Sequence, residues 1–210
     1  MIDLIAIYSF LNKQRRMILF ALLSISLVAC ASSPPQAVYV LDIASPDEVG
    51  TKTIQDVPVL EIAHVVLPEY LDTTDIVQRN GAQIVASPTG RWGDRLSIEL
   101  TRSLAAYIAS GVSNMTITMN ALSQPSLYRL LVDVETFDVQ SSNEVKLTAR
   151  WTLLDKGAHK ILAARKTVAI EKMQGTGDAD IVGSMRRTII ILAKQITSEV
   201  AIIQPRPLKP

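Results

Sequence analysis

The chain has 210 residues, of which 48% are hydrophobic and 20% charged, and its formal net charge is +1. This composition is typical of a globular protein with one apolar core and excludes an intrinsically disordered chain. The near-neutral charge gives no electrostatic reason to bind nucleic acid. A single cysteine excludes a disulfide bond within the chain and argues against a cysteine-based metal cluster.

The first 30 residues have the parts of a bacterial secretion signal. The basic block Lys13-Gln-Arg-Arg16 precedes the apolar run Met17–Ala29, and Cys30 follows. An apolar run of this length is too short to span a bilayer, which takes about 20 residues. The sequence therefore predicts a signal peptide over residues 1–29, which directs the rest of the chain out of the cytoplasm.

The segment Leu27-Val28-Ala29-Cys30 resembles the lipobox of bacterial lipoproteins. The resemblance implies cleavage before Cys30, a thioether-linked lipid on its sulfur and an acyl chain such as palmitate on its new amino group. Two or more acyl chains anchor a protein stably to a membrane. The alternative is an ordinary signal peptide with a cysteine near the cleavage site.

Residues 30–37 are rich in Ser and Pro and are predicted to form a flexible tether behind the lipidated cysteine. Residue 31 is Ala, whereas an Asp at this position often retains enteric lipoproteins at the inner membrane. We therefore expect a lipid anchor on the periplasmic side of the envelope, in the outer membrane.

Residues 38–203 are predicted to form a single periplasmic domain. Val38–Ile43 and Val57–Leu67 are predicted strands, separated by a polar loop over 44–56. The segment Leu67-Pro-Glu-Tyr-Leu71 is expected to end the second strand.

A hairpin is predicted next, because Asn80-Gly81 lies between the strand-like runs 76–79 and 82–86. A type I′ turn requires positive φ at both central residues, and Asn-Gly suits it. Ser87-Pro-Thr-Gly90 predicts another break in the chain. An amphipathic helix is then predicted over 94–109 and is expected to end near Gly111, with Trp92 packing at its start.

The second half predicts three strands and a helix. Apolar and polar residues alternate over Tyr128–Glu135 and Glu144–Leu153, and more weakly over Ile161–Glu171, which predicts an antiparallel meander. A second amphipathic helix is predicted over 179–203, followed by a mobile, Pro-rich tail over 204–210. The predicted fold class is α+β: a two-layer sandwich of a mostly antiparallel sheet with two amphipathic helices packed on one face.

No motif of an enzyme, a cofactor site or a metal site is present in the sequence. His64 and His159 are interpreted as structural or surface histidines, and Asp133 with Glu135 as a solvated pair on a strand. We therefore expect a non-catalytic protein without metal or cofactor. An envelope enzyme would instead require polar residues clustered around a pocket.

Several short motifs resemble those of the ABC-type transport auxiliary lipoproteins, the PqiC-like family, over roughly residues 38–203. They are Leu67-Pro-Glu-Tyr-Leu71, Ile76-Val-Gln-Arg79, Arg91-Trp92 with Leu96, and the run Tyr128–Asp138. Gly93-Asp94 departs from the Ala and Glu that relatives more often carry. The resemblance implies an accessory protein that acts with an inner-membrane ABC permease and an MCE-domain protein to move lipids or other hydrophobic compounds across the envelope.

The alternative function is a regulatory or assembly lipoprotein for cell-wall synthesis or outer-membrane biogenesis, and self-association of the domain is left open.

A docking surface is predicted to include the Asn80-Gly81 hairpin and the residues Leu67, Pro68, Tyr70, Leu71 and Arg79. The competing interpretation is that Leu67 and Leu71 close the end of the sandwich.

Overall fold

The computed structural model describes residues 13–15, 17, 35–42, 57–119, 126–157 and 159–203. The chain divides into two compact units, residues 1–35 and residues 36–210, and the fold described below is that of the second unit. Cys30, nearly all of the predicted signal peptide and tether, the predicted loop over 44–56 and the predicted tail lie outside the described residues.

The described part of the second unit contains eight strands and two helices. In chain order they are β1 Ala37–Tyr39, β2 Val59–Ile62, β3 Asp75–Asn80, β4 Gln83–Trp92, α1 Leu96–Gly111, β5 Thr116–Thr118, β6 Tyr128–Gln140, β7 Glu144–Asp155, β8 Lys160–Lys172 and α2 Asp178–Ala201.

These strands form two sheets. The larger has the order β5-β2-β6-β7-β8, and the smaller has the order β1-β4-β3. β6, β7 and β8 form the predicted antiparallel meander, whereas β2 is parallel to both of its neighbours and β1 is parallel to β4. The α+β sandwich is confirmed, but its sheets are mixed and number two, because the early strands pair with partners distant in the sequence.

The core lies between the larger sheet and the two helices. Alternate residues of β6 and β7 face it in register, so that Leu130 lies opposite Leu153 and Val132 opposite Trp151. α2 contacts β7, β8 and α1. Its buried apolar stripe recurs at helical spacing and comprises Ile181, Met185, Ile189, Leu192, Ile196 and Val200.

The second predicted strand is shorter than expected. β2 ends at Ile62 rather than at Leu67. The chain returns to the sheet at Val66, whose N–H donates to the carbonyl of Val132 at 3.0 Å and whose carbonyl accepts from Val134 N–H at 2.9 Å. The apolar residues over 57–67 thus serve two separate contacts with β6.

The predicted break at Ser87–Gly90 is wrong, because β4 runs through it to Trp92. In the register with β3, Arg91 lies opposite Asp75 and Ala86 lies opposite Val77. Residues 87–90 of β4 therefore lie opposite a single residue of β3, Ile76. Pro and Gly here mark a bulge inside a strand rather than its end.

The predicted turn is displaced by one residue. Asn80 pairs with Gln83, so the two central residues are Gly81 and Ala82. Gly81 has φ of +61°, and neither Asn80 nor Ala82 has positive φ. Glycine at the first central position is the arrangement of a type II′ turn and not of the predicted type I′ turn.

The first helix begins two residues later than predicted. The N–H of Leu96 donates to the carbonyl of Thr73 at 3.1 Å, and Asp94 instead forms an ion pair with Arg102 at 2.6 Å. α1 ends at Gly111, as predicted. Trp92 is 1% exposed and packs in the core before the helix, also as predicted.

Candidate partner-docking surface

The segment from Leu67 to Leu71 connects β2 to β3 through a tight turn. The carbonyl of Pro68 accepts hydrogen bonds from the N–H groups of Leu71 at 2.9 Å and Asp72 at 3.2 Å. Leu71 is completely buried, so its predicted role in docking is wrong, and it closes the core as the competing interpretation proposed. Leu67 is partly buried against the core, and Pro68 keeps intermediate exposure.

Tyr70, Arg79 and Asp138 form a side-chain cluster at the junction of the two sheets. The Tyr70 hydroxyl donates to Oδ1 of Asp138 at 3.0 Å, and Arg79 Nε donates to Oδ2 at 2.9 Å. Arg79 Nη2 also donates to the Tyr70 hydroxyl at 2.8 Å, and the guanidinium carbon lies 5.2 Å from the centre of the tyrosine ring. The structure thus brings together two of the predicted docking residues.

Asp138 is the member of this cluster that sequence reasoning missed. It belongs to β6, where the register shifts between Val134 and Thr136. After this bulge Phe137 and Val139 face the core, and Asp138 points to the opposite side of the sheet. Its side chain is only 4% exposed, and that of Arg79 is 34% exposed. The only sequence signal was the Phe137-Asp138 pair that ends the family-like strand.

The electrostatics of the cluster follow from this burial. Burial of the hydroxyl, reinforced by the negative charge of Asp138, raises the pKa of Tyr70 above its ordinary value. The hydrogen bond that Arg79 donates to Asp138 is the main cause that raises the pKa of Arg79, and the one it donates to Tyr70 is the second. The guanidinium therefore stays charged and the phenol stays protonated at neutral pH. The cluster ties β3 and the 67–71 segment to β6, and nothing in it is a nucleophile poised for reaction.

An exposed apolar strip, formed by Val66 and Leu131, precedes the 67–71 segment on the larger sheet. Val66 is 59% exposed and pairs with Asp133, two residues along β6 from Leu131, which is 39% exposed. Glu69, three residues after Val66 in the chain, is also exposed.

The acidic pair predicted on β6 does not act as a unit. Glu135 forms ion pairs with Arg150 and with Lys166, the latter at 2.8 Å. The hydrogen bond from Lys166 is the main cause that lowers the pKa of Glu135. Asp133 is exposed next to Val66. Their arrangement is that of solvated charges on a strand, as the sequence predicted.

A second polar cluster fastens the smaller sheet to α2. Ser87 Oγ and Thr89 Oγ1 donate to Oδ2 of Asp178 at 2.9 and 2.7 Å. Asp178 is the first residue of α2 and is nearly buried. A carboxylate at a helix N-terminus is also stabilised by the helix dipole. These hydroxyls therefore hold the β4 bulge against the helix.

The described residues form open depressions near the turn between β7 and β8, and a further one of about 250 Å³ bordered by Leu41, Glu99 and Arg102. Two open depressions of about 310 Å³ each lie on either side of that turn, one bordered by Leu162, Glu199 and Ile202 and the other by Lys156, His159 and Ile161. Glu199 is paired with Arg165 at 3.2 Å. Within the described ranges, no group of three or more acidic, His or Cys side chains could hold a metal ion. No described helix is both long and apolar enough to cross a membrane.

The model of one protein family matches residues 39–197, and that family is described as the ABC-type transport auxiliary lipoprotein component. The chain belongs to this family. The match runs from the last residue of β1 through most of α2 and includes both halves of the Tyr70–Asp138 contact. The resemblance seen in the short sequence motifs is therefore confirmed.

Solved structures share the fold at low sequence identity. The crystal structure of an uncharacterized protein is 20% identical, covers 80% of this chain and 99% of its own, and has a TM-score of 0.66. A Xanthomonas campestris protein is 16% identical over 80% of this chain and 93% of its own, with a TM-score of 0.59. At these identities the likeness establishes the fold alone. Among the curated proteins searched, none matches this sequence.

Proposed function

We propose that this chain is a non-catalytic subunit of an ABC transport system that docks an MCE-domain protein and its permease. The transported compounds are lipids or other hydrophobic molecules that cross the envelope. The chain is held on the periplasmic side of the outer membrane by lipid on Cys30. Membership of the auxiliary lipoprotein family supports the class of system, and the finer role is our proposal.

The observation that carries the docking proposal is the clamped segment beside an exposed apolar strip. Tyr70 and Arg79 are fixed by Asp138, so the Val66–Tyr70 surface is ordered before a partner arrives. A pre-formed surface loses little conformational entropy on binding. Val66 and Leu131 supply apolar area, while Glu69 and the exposed third of Arg79 supply charges at its edge. Of the predicted docking residues, Pro68, Tyr70 and Arg79 remain in this proposal. Leu67 is packed against the core and stabilises the segment that carries them.

The experiment compares two matched variants of the lipidated protein. Val66 and Ile161 are both β-branched, and they are 59% and 58% exposed. Val66 lies in the proposed surface, whereas Ile161 lies at the start of β8. We expect Val66→Lys to reduce co-purification of the MCE-domain protein at least tenfold, since a buried charge in an interface is strongly unfavourable, and Ile161→Lys to leave it unchanged.

Equal recovery of the MCE-domain protein with both variants would overturn the docking surface. Thermal unfolding of both variants provides the control for folding, and both are expected to unfold within a few degrees of the wild type because exposed substitutions change stability little. Recovery of a cell-wall synthase or an outer-membrane assembly factor, with no transporter, would favour the alternative function instead.

A further inference from the structure

The tip of the β3–β4 hairpin is exposed on both of its faces. Every residue from Asn80 to Ala86 is exposed, including the apolar side chains of Ile84 at 37% and Val85 at 49%. Consecutive strand residues point to opposite faces, so both faces of β4 are accessible at Ile84 and Val85, although Arg79, which lies opposite Ile84 in β3, is held by Asp138. Two adjacent exposed β-branched residues at this tip form a small apolar contact surface.

The start of the folded unit lies on the same hairpin. Gln36 Nε2 donates to the carbonyl of Pro88 at 3.3 Å, and Ala37 pairs with Gly90. Pro88 is three residues from Val85 along β4, a distance of about 10 Å at most. Cys30 precedes Gln36 by six residues, which span at most about 20 Å when fully extended. The covalent chain therefore keeps a lipid on Cys30 within reach of the hairpin.

The charges of the hairpin are compatible with a phospholipid surface. The stretch from Ile76 to Trp92 contains two arginines, Arg79 and Arg91, and no acidic residue. Arg91 is exposed. Asp138 and Asp178 contact this stretch and are occupied by Arg79 and by the hydroxyls of Ser87 and Thr89, and Asp75, the first residue of β3, lies opposite Arg91. The tip itself, from Asn80 to Ala86, contains no charged residue, so its insertion into a lipid interface would bury no charge.

We propose that Ile84 and Val85 enter the lipid interface of the membrane that carries the Cys30 anchor. This inference rests on the lipid attachment in the proposed function. The anchor makes the second contact intramolecular, so a small apolar tip suffices where it would not bind membranes by itself. The contact fixes which face of the domain points away from the bilayer and leaves the Val66–Tyr70 surface beside the membrane and open to a partner.

The test uses single-cysteine labelling of the mature lipidated protein. Because Cys30 is the only cysteine and its sulfur is blocked by lipid, Val85→Cys provides one free thiol for an environment-sensitive fluorophore such as NBD. The vesicles contain phosphatidylethanolamine and phosphatidylglycerol, with and without nitroxide-labelled lipid. The matched control is Ile161→Cys. Ile161 is 58% exposed, against 49% for Val85, and its neighbour Leu162 lines a depression with Ile202 at the C-terminal end of α2. That helix is about 36 Å long, and Gln36 lies near its other end through Pro88 and the Ser87–Asp178 contact.

We expect the Val85 fluorophore to shift to the blue and to lose at least half of its intensity to nitroxide lipid, and the Ile161 fluorophore to do neither. Flotation of the protein with the vesicles while both fluorophores behave alike would overturn the hairpin contact and leave the anchor intact. Failure to float, together with a labelled Cys30 thiol, would overturn the anchor and with it this inference.

Discussion

Tyr70 and Asp138 are 68 residues apart in the sequence, and the hydroxyl of the first donates a 3.0 Å hydrogen bond to the buried carboxylate of the second. Within the described residues the two sheets share no strand pairing. The Tyr70–Arg79–Asp138 cluster therefore links them through side chains. Because the carboxylate is almost fully buried, it depends on these two donors for compensation of its charge.

Removing the arginine from this cluster should destabilise the domain. We expect Arg79→Ala to lower the free energy of unfolding by about 2–3 kcal/mol, less than a fully buried pair because one-third of the Arg79 side chain is exposed. The double variant Arg79→Ala, Asp138→Asn should lose less than the single variant, since it leaves no uncompensated charge. Urea unfolding measures both.

The control for this comparison is Arg150→Ala, which removes an exposed partner of Glu135. A much smaller loss than that of Arg79→Ala is expected there, because solvent screens an exposed ion pair. A double variant that is less stable than Arg79→Ala would mean that Asp138 stabilises the domain through other contacts.

The Gly90 position should reject a side chain. A Cβ atom there would lie 2.6 Å from Oδ2 of Asp178 and 2.9 Å from the Tyr39 ring. Asp178 is held by Ser87 and Thr89 and cannot easily move aside. We expect Gly90→Ala to lower the free energy of unfolding by about 2 kcal/mol.

Gly183 in α2 is the matched control, because the nearest atom to its Cβ would be Arg187 Nη1 at 3.7 Å, an ordinary contact. Gly183→Ala should stabilise the domain by about 0.5–1 kcal/mol, since alanine favours a helix. Equal effects of the two substitutions in thermal unfolding would show that the β4 bulge is not packed tightly against α2.

The carboxyl of Glu61 should make part of the stability depend on pH. A 2.8 Å hydrogen bond from Ser126 is the largest cause that lowers the pKa of Glu61, with the charges of Arg129 and Lys156 adding to it against the opposing effect of burial. A carboxyl with a lowered pKa binds its proton less readily in the folded state. Its contribution is therefore present above pH 4.5, its unperturbed value, and is lost as the pH falls through the folded-state pKa.

Ser126→Ala should raise the pKa of Glu61 and reduce this contribution. The wild type is expected to be more stable than the variant at pH 7, and the difference should narrow as the pH falls below about 4.5. Urea unfolding of both proteins across this range measures the difference. A difference that does not change with pH would assign the effect of Ser126 to something other than the Glu61 charge.

Cys30 should carry the lipid. We expect Cys30→Ser to abolish incorporation of labelled palmitate. The variant should also lose the partitioning into detergent that an acylated protein shows, because stable anchoring requires two or more acyl chains. Metabolic labelling and detergent partitioning measure this. If palmitate were still incorporated into the variant, the acyl group would have to be attached to a residue other than Cys30.

Local patterns predicted the parts of the fold that have local causes. The alternation in β6 and β7 and the stripe of α2 each reflect burial on one face, so the starts of these elements were predicted to within one residue, although β6 continues beyond Glu135 to Gln140. The parallel pairing of β2 with β5 and β6 depends on segments 57 or more residues apart and leaves no such periodic trace. Ser87–Gly90 contains the residues of both a bulge and a break, and only the pairing with β3 distinguishes the two.

The same limit applied to the candidate site. Tyr70 and Arg79 could be selected because they lie in a Pro-broken segment and a neighbouring strand. Their shared partner Asp138 could not, since a polar residue on the outer face of a strand is ordinarily solvated. The sequence also could not predict whether Leu71 is buried, because an apolar residue shortly after a proline suits either an exposed loop or the closed end of a core.

The central claim is the association with a transporter, and capture from native membranes tests it most directly. The tagged, lipidated protein is crosslinked in place and purified, its partners are identified by mass spectrometry, and Cys30→Ala is the control. The proposed function predicts recovery of an MCE-domain protein together with its ABC permease, and a marked reduction with the control. Recovery of a cell-wall synthase or an assembly factor without any transporter component would contradict it.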